Sequence, residues 1–265
     1  MDNRPIGILD SGLGGLTAVN ALRAVLPNES FIYVGDTARV PYGEKDVATI
    51  HMYANQLIQF LQDKGVKAIV VACGTISSNV NLDALPFNFP IIDVVRPGVK
   101  ACLGIPNLNR IGVIATAATI KSGIFPKMLK EENPRLVIEA LACPMFVPLI
   151  EGDFAERKLS HHIAEAYLGE WQKNPIDALI LGCTHYPLLS PIFQKILPNT
   201  ILVDIAQATI EYTKKFLTKN GMLNNHSGNS EVKNEFYASG DITKFNKMSR
   251  MITGLDIDTK KINWD

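Results

Sequence analysis

The chain carries no excess of either charge: 26 Lys and Arg stand against 26 Asp and Glu, and the formal net charge at pH 7 is zero. Nucleic-acid binding draws much of its affinity from basic side chains set against phosphates, so this balance argues against a nucleic-acid partner. No apolar run approaches the ~18 residues of a membrane span. The longest candidate, residues 136–150, is interrupted by Glu139, Pro144 and Pro148, so no membrane association is expected. Met1-Asp2-Asn3-Arg4 passes directly into a strand-like run at residues 6–9, leaving no space for a basic leader and an apolar signal core; a cytoplasmic location is the expectation. The four cysteines, Cys73, Cys102, Cys143 and Cys183, contain no C-x-x-C pair, which removes zinc-ribbon and thioredoxin-type motifs. Reduced thiols are expected, with Cys102 and Cys143 as small buried hydrophobes. A Walker A sequence is absent. The glycine turn Asp10-Ser11-Gly12-Leu13-Gly14-Gly15 breaks the dinucleotide pattern, because Thr17 stands where its third glycine belongs. No nucleotide cofactor is expected.

What is present is an ordinary globular composition, 47% apolar and 20% charged over 265 residues, enough for two small domains or one large one. Short aliphatic runs alternate with stretches of helical period, the pattern of a parallel sheet covered by helices, so the fold class is α/β. Strands are predicted near residues 6–9, 31–34, 68–72 and 91–95, the last closed by Pro97, with helices at 45–64 and after Ser77. A second set is predicted near 111–115, 136–141, 178–181 and 201–203. The third strand of each set ends in cysteine, at Lys67-Ala-Ile-Val-Val-Ala-Cys73-Gly-Thr75 and at Asp177-Ala-Leu-Ile-Leu-Gly-Cys183-Thr184. This repetition predicts two similar doubly wound parallel-sheet domains related by an approximate two-fold, with the site in the cleft between them. The first domain is expected to comprise residues 1–97 and 208–265, the second 98–207. After a helix at 206–218, residues 220–234 read as a polar surface loop; a strand at 236–238 and a helix at 248–252 are expected to rejoin the first domain.

Ligands of parallel sheets bind at the carboxyl ends of strands, and both Cys73 and Cys183 fall there. Two thiols on opposite sides of a cleft suit removal of a proton from one face of a stereocentre and its return to the other. A thiol with an ordinary pKa of about 8.5 serves as either acid or base near neutrality. An α-hydrogen beside a carboxylate is far less acidic than a thiol, and no electron-sink cofactor is evident, so carbanion charge must be offset by N–H and O–H donors. Ser11, Thr75, Thr116, Thr119 and Thr184 supply hydroxyls at strand ends. Asp10 reads either as a helix cap or as part of the chemistry, and His185 either as a structural hydrogen-bonding residue or as a partner of Cys183. Cys183 and His185 would be half a metal site, but no second pair matches them, and no metal is expected.

Four segments carry a resemblance: Gly7-Ile-Leu-Asp-Ser-Gly-Leu-Gly-Gly15, Gly35-Asp-Thr-Ala-Arg-Val-Pro-Tyr-Gly43, Val71-Ala-Cys-Gly-Thr75 and Leu181-Gly-Cys-Thr-His-Tyr-Pro-Leu-Leu189. In order and spacing they resemble the aspartate/glutamate racemase family, and within it the glutamate racemases. The resemblance implies two α/β domains, a cofactor-independent site between them, a homodimer, and supply of D-glutamate for peptidoglycan precursors. It implies that Cys73 takes the proton from D-glutamate and Cys183 from L-glutamate, that Asp10 and His185 assist the two thiols, and that Glu151 is an acidic residue near the cleft. Ser11, Pro41, Tyr42, Gly43, Gly74, Thr75, Thr116, Thr119 and Thr184 match substrate-binding positions. Two residues depart from the pattern. Gly74 replaces an Asn whose amide contacts substrate, and Ile205 replaces a small hydroxyl residue. Loss of a donor to a charged group costs about 1.5–3 kcal/mol unless replaced. Altered substrate choice, such as aspartate, or an inactive amino-acid-binding protein of the same fold are the alternative readings.

Overall fold

A computed structural model describes residues 1–152, 157–224 and 233–264. The described strands are β1 (Ile6–Asp10), β2 (Phe31–Gly35), β3 (Ala68–Val71), β4 (Ile91–Asp93), β5 (Arg110–Ala115), β6 (Val137–Ala142), β7 (Ala178–Leu181), β8 (Ile201–Asp204), β9 (Glu235–Ala238) and β10 (Thr259–Lys261). The helices are α1 (Leu16–Val25), α2 (Val47–Asp63), α3 (Gly74–Asn79), α4 (Val95–Leu103), α5 (Ala117–Ser122), α6 (Ile124–Glu132), α7 (Phe146–Glu151), α8 (Arg157–Leu168), α9 (Glu170–Lys173), α10 (Ser190–Ile196), α11 (Ile205–Lys219) and α12 (Ile242–Thr253).

The strands form two sheets, ordered β10-β9-β2-β1-β3-β4 and β6-β5-β7-β8, and every pairing within them is parallel. The first strand of each set is flanked by the second and third, with the fourth outside the third, so one architecture occurs twice. Side chains alternate between faces of a strand, and here both faces are buried. In β3, Ala68 and Val70 join the core under α1, α11 and α12, while Ile69 and Val71 join the core under α2, continued by Cys73. In β7, Ala178 and Ile180 face the core shared with α4 and α6, while Leu179 and Leu181 face that of α7, α8 and α10, continued by Cys183. Each cysteine thus keeps the register of its strand while standing just beyond its carboxyl end. Helix α11 fastens the two sheets together, with Ile205 in the second core and Ala206, Ile210 and Leu217 in the first.

Several boundaries differ from the sequence-based expectation. The run at 91–95 is a strand only to Asp93, because Asp93 Oδ1 accepts the N–H groups of Val95 and Arg96 at 2.8 Å and so starts α4. Pro97 then lies in the first turn of that helix rather than closing a strand, where its missing N–H costs nothing. Helix α3 begins at Gly74, three residues before Ser77. The tail holds an additional strand, β10, which pairs with β9, and β9 pairs with β2. Residues 225–232 of the expected 220–234 loop lie outside the described residues. Among the described residues, no helix is long and apolar enough to cross a membrane.

At the base of β3, Lys67 is fully buried with Nζ 2.5 Å from Glu29 and 2.8 Å from the carbonyls of Asp2 and Met222. The other Glu29 oxygen accepts the Asn224 N–H at 2.8 Å, so one ion pair ties both sequence-distant flanks to the strand that carries Cys73. Replacing Lys67 by Met leaves a buried carboxylate unpaired and is expected to lower unfolding free energy by about 3–5 kcal/mol. Urea denaturation of Lys67→Met beside Lys67→Met/Glu29→Leu checks this, with the double variant the more stable of the two.

Candidate active site

The carboxyl ends of β1, β3, β5 and β7 converge on a cavity of about 410 Å³. Its walls include Asp10, Ser11, Cys73, Gly74 and Thr75 from the first sheet and Thr116, Glu151, Cys183, Thr184 and His185 from the second. Pro41, Tyr42 and Gly43, in the turn after β2, complete one side. Of the site residues expected from the sequence, only Thr119 is outside the wall. It lies directly behind, its hydroxyl 3.0 Å from that of Thr116, and Ser78 of α3 donates to it at 3.2 Å. Thr75 and Thr116 hydroxyls meet at 3.0 Å, so these helix starts are joined by hydroxyl groups across the cleft.

Backbones approach closely where glycine allows. A Cβ at Gly74 would overlap the Gly182 carbonyl oxygen, and one at Gly14 would overlap Thr184 Oγ1 and the His185 ring. The glycine turn after β1 therefore serves close contact with the opposite strand end. Thr17, which breaks the dinucleotide pattern, donates its hydroxyl across the cleft to the Thr184 carbonyl at 3.0 Å. The volume that a side chain at position 74 would need is taken by the facing backbone. Ile205, the other departure, is buried in the second core and does not line the cavity.

The two thiols have different neighbours. Cys73 is 4% exposed, and its thiol donates to the Ser11 hydroxyl at 3.4 Å. Burial pushes it up to about 12, with the Asp10 charge acting in the same direction. Asp10 Oδ2 accepts the N–H groups of Gly12 and Gly15 at 3.0 Å, so the residue organises the turn while its carboxyl faces the cavity. Burial raises the Asp10 carboxyl above the usual range, against the charge of His185 and those two N–H bonds. Cys183, 6% exposed, lies 3.8 Å from Nδ1 of His185, whose Nε2 is 2.9 Å from Glu151 Oε1. Burial opposes charge on His185, but the hydrogen bonds to Cys183 and Glu151 and their negative charge outweigh it, holding the imidazole up at about 10. Glu151 is held below its ordinary range, its burial outweighed by the hydrogen bond and charge of His185. Asp10 is not the cap of α1, whose N-cap is Gly15 with no side-chain cap bond, but ties the turn before it, while His185 links Glu151 to Cys183.

Lys244 also lines the cavity and was not singled out from the sequence. It lies in the first turn of α12, far from every motif, and no local pattern marks it; only the packing of α12 against α1 brings its cation to the wall, where its charge reaches Glu151. Cys102 and Cys143 are buried in the cores on either face of the β6-β5-β7-β8 sheet and line no part of the cavity. Among the described residues, no group of three or more His, Cys, Asp and Glu is arranged to hold a metal ion.

A histidine whose folded pKa is raised from about 6.5 to about 10 contributes stability that is fully present below 6.5 and is lost as pH rises through 10. The stability deficit of His185→Gln is therefore expected to be largest, on the order of a few kcal/mol, near pH 6 and to shrink steadily toward pH 10. Paired denaturation curves across that range measure it; a deficit independent of pH contradicts the charged state.

Comparison with known proteins agrees with this architecture. The family model for Asp/Glu/hydantoin racemases matches residues 17–213. A protein named glutamate racemase 2 from Caldanaerobacter subterraneus subsp. tengcongensis is 39% identical over 97% of this chain and 96% of its own length. Glutamate racemase from Neisseria meningitidis is 40% identical over 95% of this chain and 93% of its own. Among solved structures, glutamate racemase from Francisella tularensis in complex with D-glutamate superposes with a TM-score of 0.90 at 38% identity, covering 99% of this chain and 98% of that one. A Bacillus anthracis glutamate racemase gives a TM-score of 0.93 at 32% identity with the same coverage. With the family model spanning most of the chain and relatives aligned nearly end to end, this protein belongs to the Asp/Glu/hydantoin racemase family.

Proposed function

We propose that this protein is a cofactor-independent racemase that interconverts L- and D-glutamate by a two-thiol mechanism. The observation that carries the reading is that Cys73 and Cys183, each just past the third strand of its own sheet, line a single cavity. A stereocentre held between them has one proton carrier on each face.

The site is asymmetric. Burial keeps Cys73 a thiol at neutral pH, whereas Cys183 lies 3.8 Å from Nδ1 of His185, whose Nε2 is held by Glu151. In the direction from L-glutamate, Cys183 serves as the base and Cys73 as the acid. The Cα–H bond breaks as its proton passes to the Cys183 sulfur, and the Cys73 thiol gives its proton to the opposite face of Cα. The product is D-glutamate, and the negative charge now sits on Cys73. The reverse reaction starts from that state, with Asp10 beside Cys73 and His185 beside Cys183 in the assisting roles. Ser11, Thr75, Thr116 and Thr184 line the walls with hydroxyl donors for the substrate carboxylates, and Lys244 adds the fixed cation that a dicarboxylic amino acid favours. Pro41, Tyr42, Gly43 and Gly74 contribute the remaining wall, and Thr119 acts from behind Thr116.

The units are proposed to be residues 1–97 with 208–265, and 98–207. The likeness to glutamate racemases extends the reading to a cytoplasmic homodimer that supplies D-glutamate for peptidoglycan precursors.

The test is incubation with L-glutamate or L-aspartate in deuterated water without added cofactor, following optical rotation and exchange at the α-carbon. Glutamate is expected to lose rotation and exchange its α-hydrogen. Turnover of aspartate alone would assign the altered substrate choice suggested by Gly74. No turnover of either, with glutamate still raising the melting temperature, would mean an inactive binding protein. In a second test, Cys73→Ala and Cys183→Ala are each expected to lower racemisation by at least about 10²–10⁴-fold. Full activity in either single variant contradicts the two-thiol account.

A further inference from the structure

The turn at residues 41–43 packs on Thr116 across the cleft, where a Cβ at Gly43 would come within 3.0 Å of the Thr116 Cβ, and it is held from behind by the end of the chain. Asp36, one residue past β2, is 0% exposed. Its Oδ2 accepts Arg39 Nε at 2.5 Å and the Tyr42 hydroxyl, while its Oδ1 accepts Ser239 Oγ at 2.6 Å and Trp264 Nε1 at 2.7 Å. Four donors fill the roughly four lone-pair positions of a carboxylate. The Arg39 guanidinium lies 3.8 Å from the Tyr53 ring centre and 4.7 Å from that of Trp264, and Tyr53 in turn contacts the Tyr42 ring with centroids 5.4 Å apart. Ser239 follows β9 directly and Trp264 follows β10, so both donors are put in place by the two strands that the tail adds beside β2.

The Tyr42 hydroxyl is therefore engaged by Asp36, and its ring is oriented by a carboxylate whose own orientation depends on residues more than 200 positions away. We propose that Asp36 and Trp264 are positioning residues for the substrate-facing turn, with the indole N–H of Trp264 fixing the carboxylate orientation that keeps Tyr42 against the cavity. The proposal rests on the reading of that cavity as the glutamate site. Its physical basis is burial: a donor removed from a fully buried carboxylate leaves an unsatisfied acceptor, and the acceptor turns toward its remaining donors.

The test uses the full chain and three variants: Trp264→Phe, which keeps an aromatic ring over Arg39 but lacks the N–H; Tyr42→Phe, which lacks the hydroxyl; and the double variant. Each single change is expected to raise KM for glutamate roughly five- to tenfold, the equivalent of one hydrogen bond, and to alter kcat less. Because both act through one carboxylate, the double variant is expected to resemble the weaker-binding single variant rather than show the product of the two effects. A Trp264→Phe enzyme with unchanged KM, even if less heat-stable, overturns the proposal, as does a double variant whose losses multiply. If Tyr42→Phe alone leaves KM unchanged, the turn does not act through Tyr42 and the proposal falls with it. Should the wild-type chain bind glutamate without turnover, the two-thiol reading fails separately, and the same cycle is read from calorimetric dissociation constants.

Discussion

Backbone contact between two strand ends is the constraint on which the rest of the molecule depends. Gly74 meets the Gly182 carbonyl, and Gly14 meets Thr184 and His185, with no Cβ between the opposing surfaces. Those contacts bring the loops after β3 and β7 to one cavity and leave each cysteine almost fully buried. Two sheets of the same strand order make this possible, since each delivers a cysteine from the same topological place. Buried strands keep the sulfurs in register: each cysteine continues the side-chain row of its own strand into the core.

Within this closed frame the two sulfurs are made unequal by their neighbours. Cys73 sits with Ser11 and a buried Asp10, an environment that resists a second negative charge. Cys183 sits at the end of a Cys183–His185–Glu151 chain, where a carboxylate orients and stabilises an imidazolium facing the sulfur. In the proposed reaction the two sulfurs exchange the roles of acid and base with the direction of turnover. The burial of Asp10, Cys73, Cys183 and His185 also means that each charge is felt strongly by the next.

The central strands were legible in the sequence because parallel strands buried on both faces read as nearly unbroken apolar runs; residues 6–9, 68–72, 111–115 and 178–181 are examples. The cysteines were legible as a pair because the duplication repeats their place at a strand end. Other features depend on distance in space. Glu151 and His185 are 34 residues apart and meet only in the folded chain. Lys244 belongs to a helix with no motif, and Trp264 follows β10, an edge strand of three polar residues with no apolar alternation to reveal it. The start of α4 was missed because Asp93 ends a strand and caps a helix at once, and its capping role depends on backbone geometry that apolar periodicity does not encode. Thr119 follows the hydroxyl pattern, yet it supports Thr116 from behind because α5 turns it away from the cavity.

A structure with glutamate bound shows how the two sulfurs flank the substrate. The α-carbon is expected to lie between Cys73 and Cys183, with each sulfur on an opposite face at about 3–3.5 Å, the range of a near-attack arrangement. Glutamate bound with both sulfurs on one face, or with either sulfur separated from the α-carbon by another side chain, would contradict it.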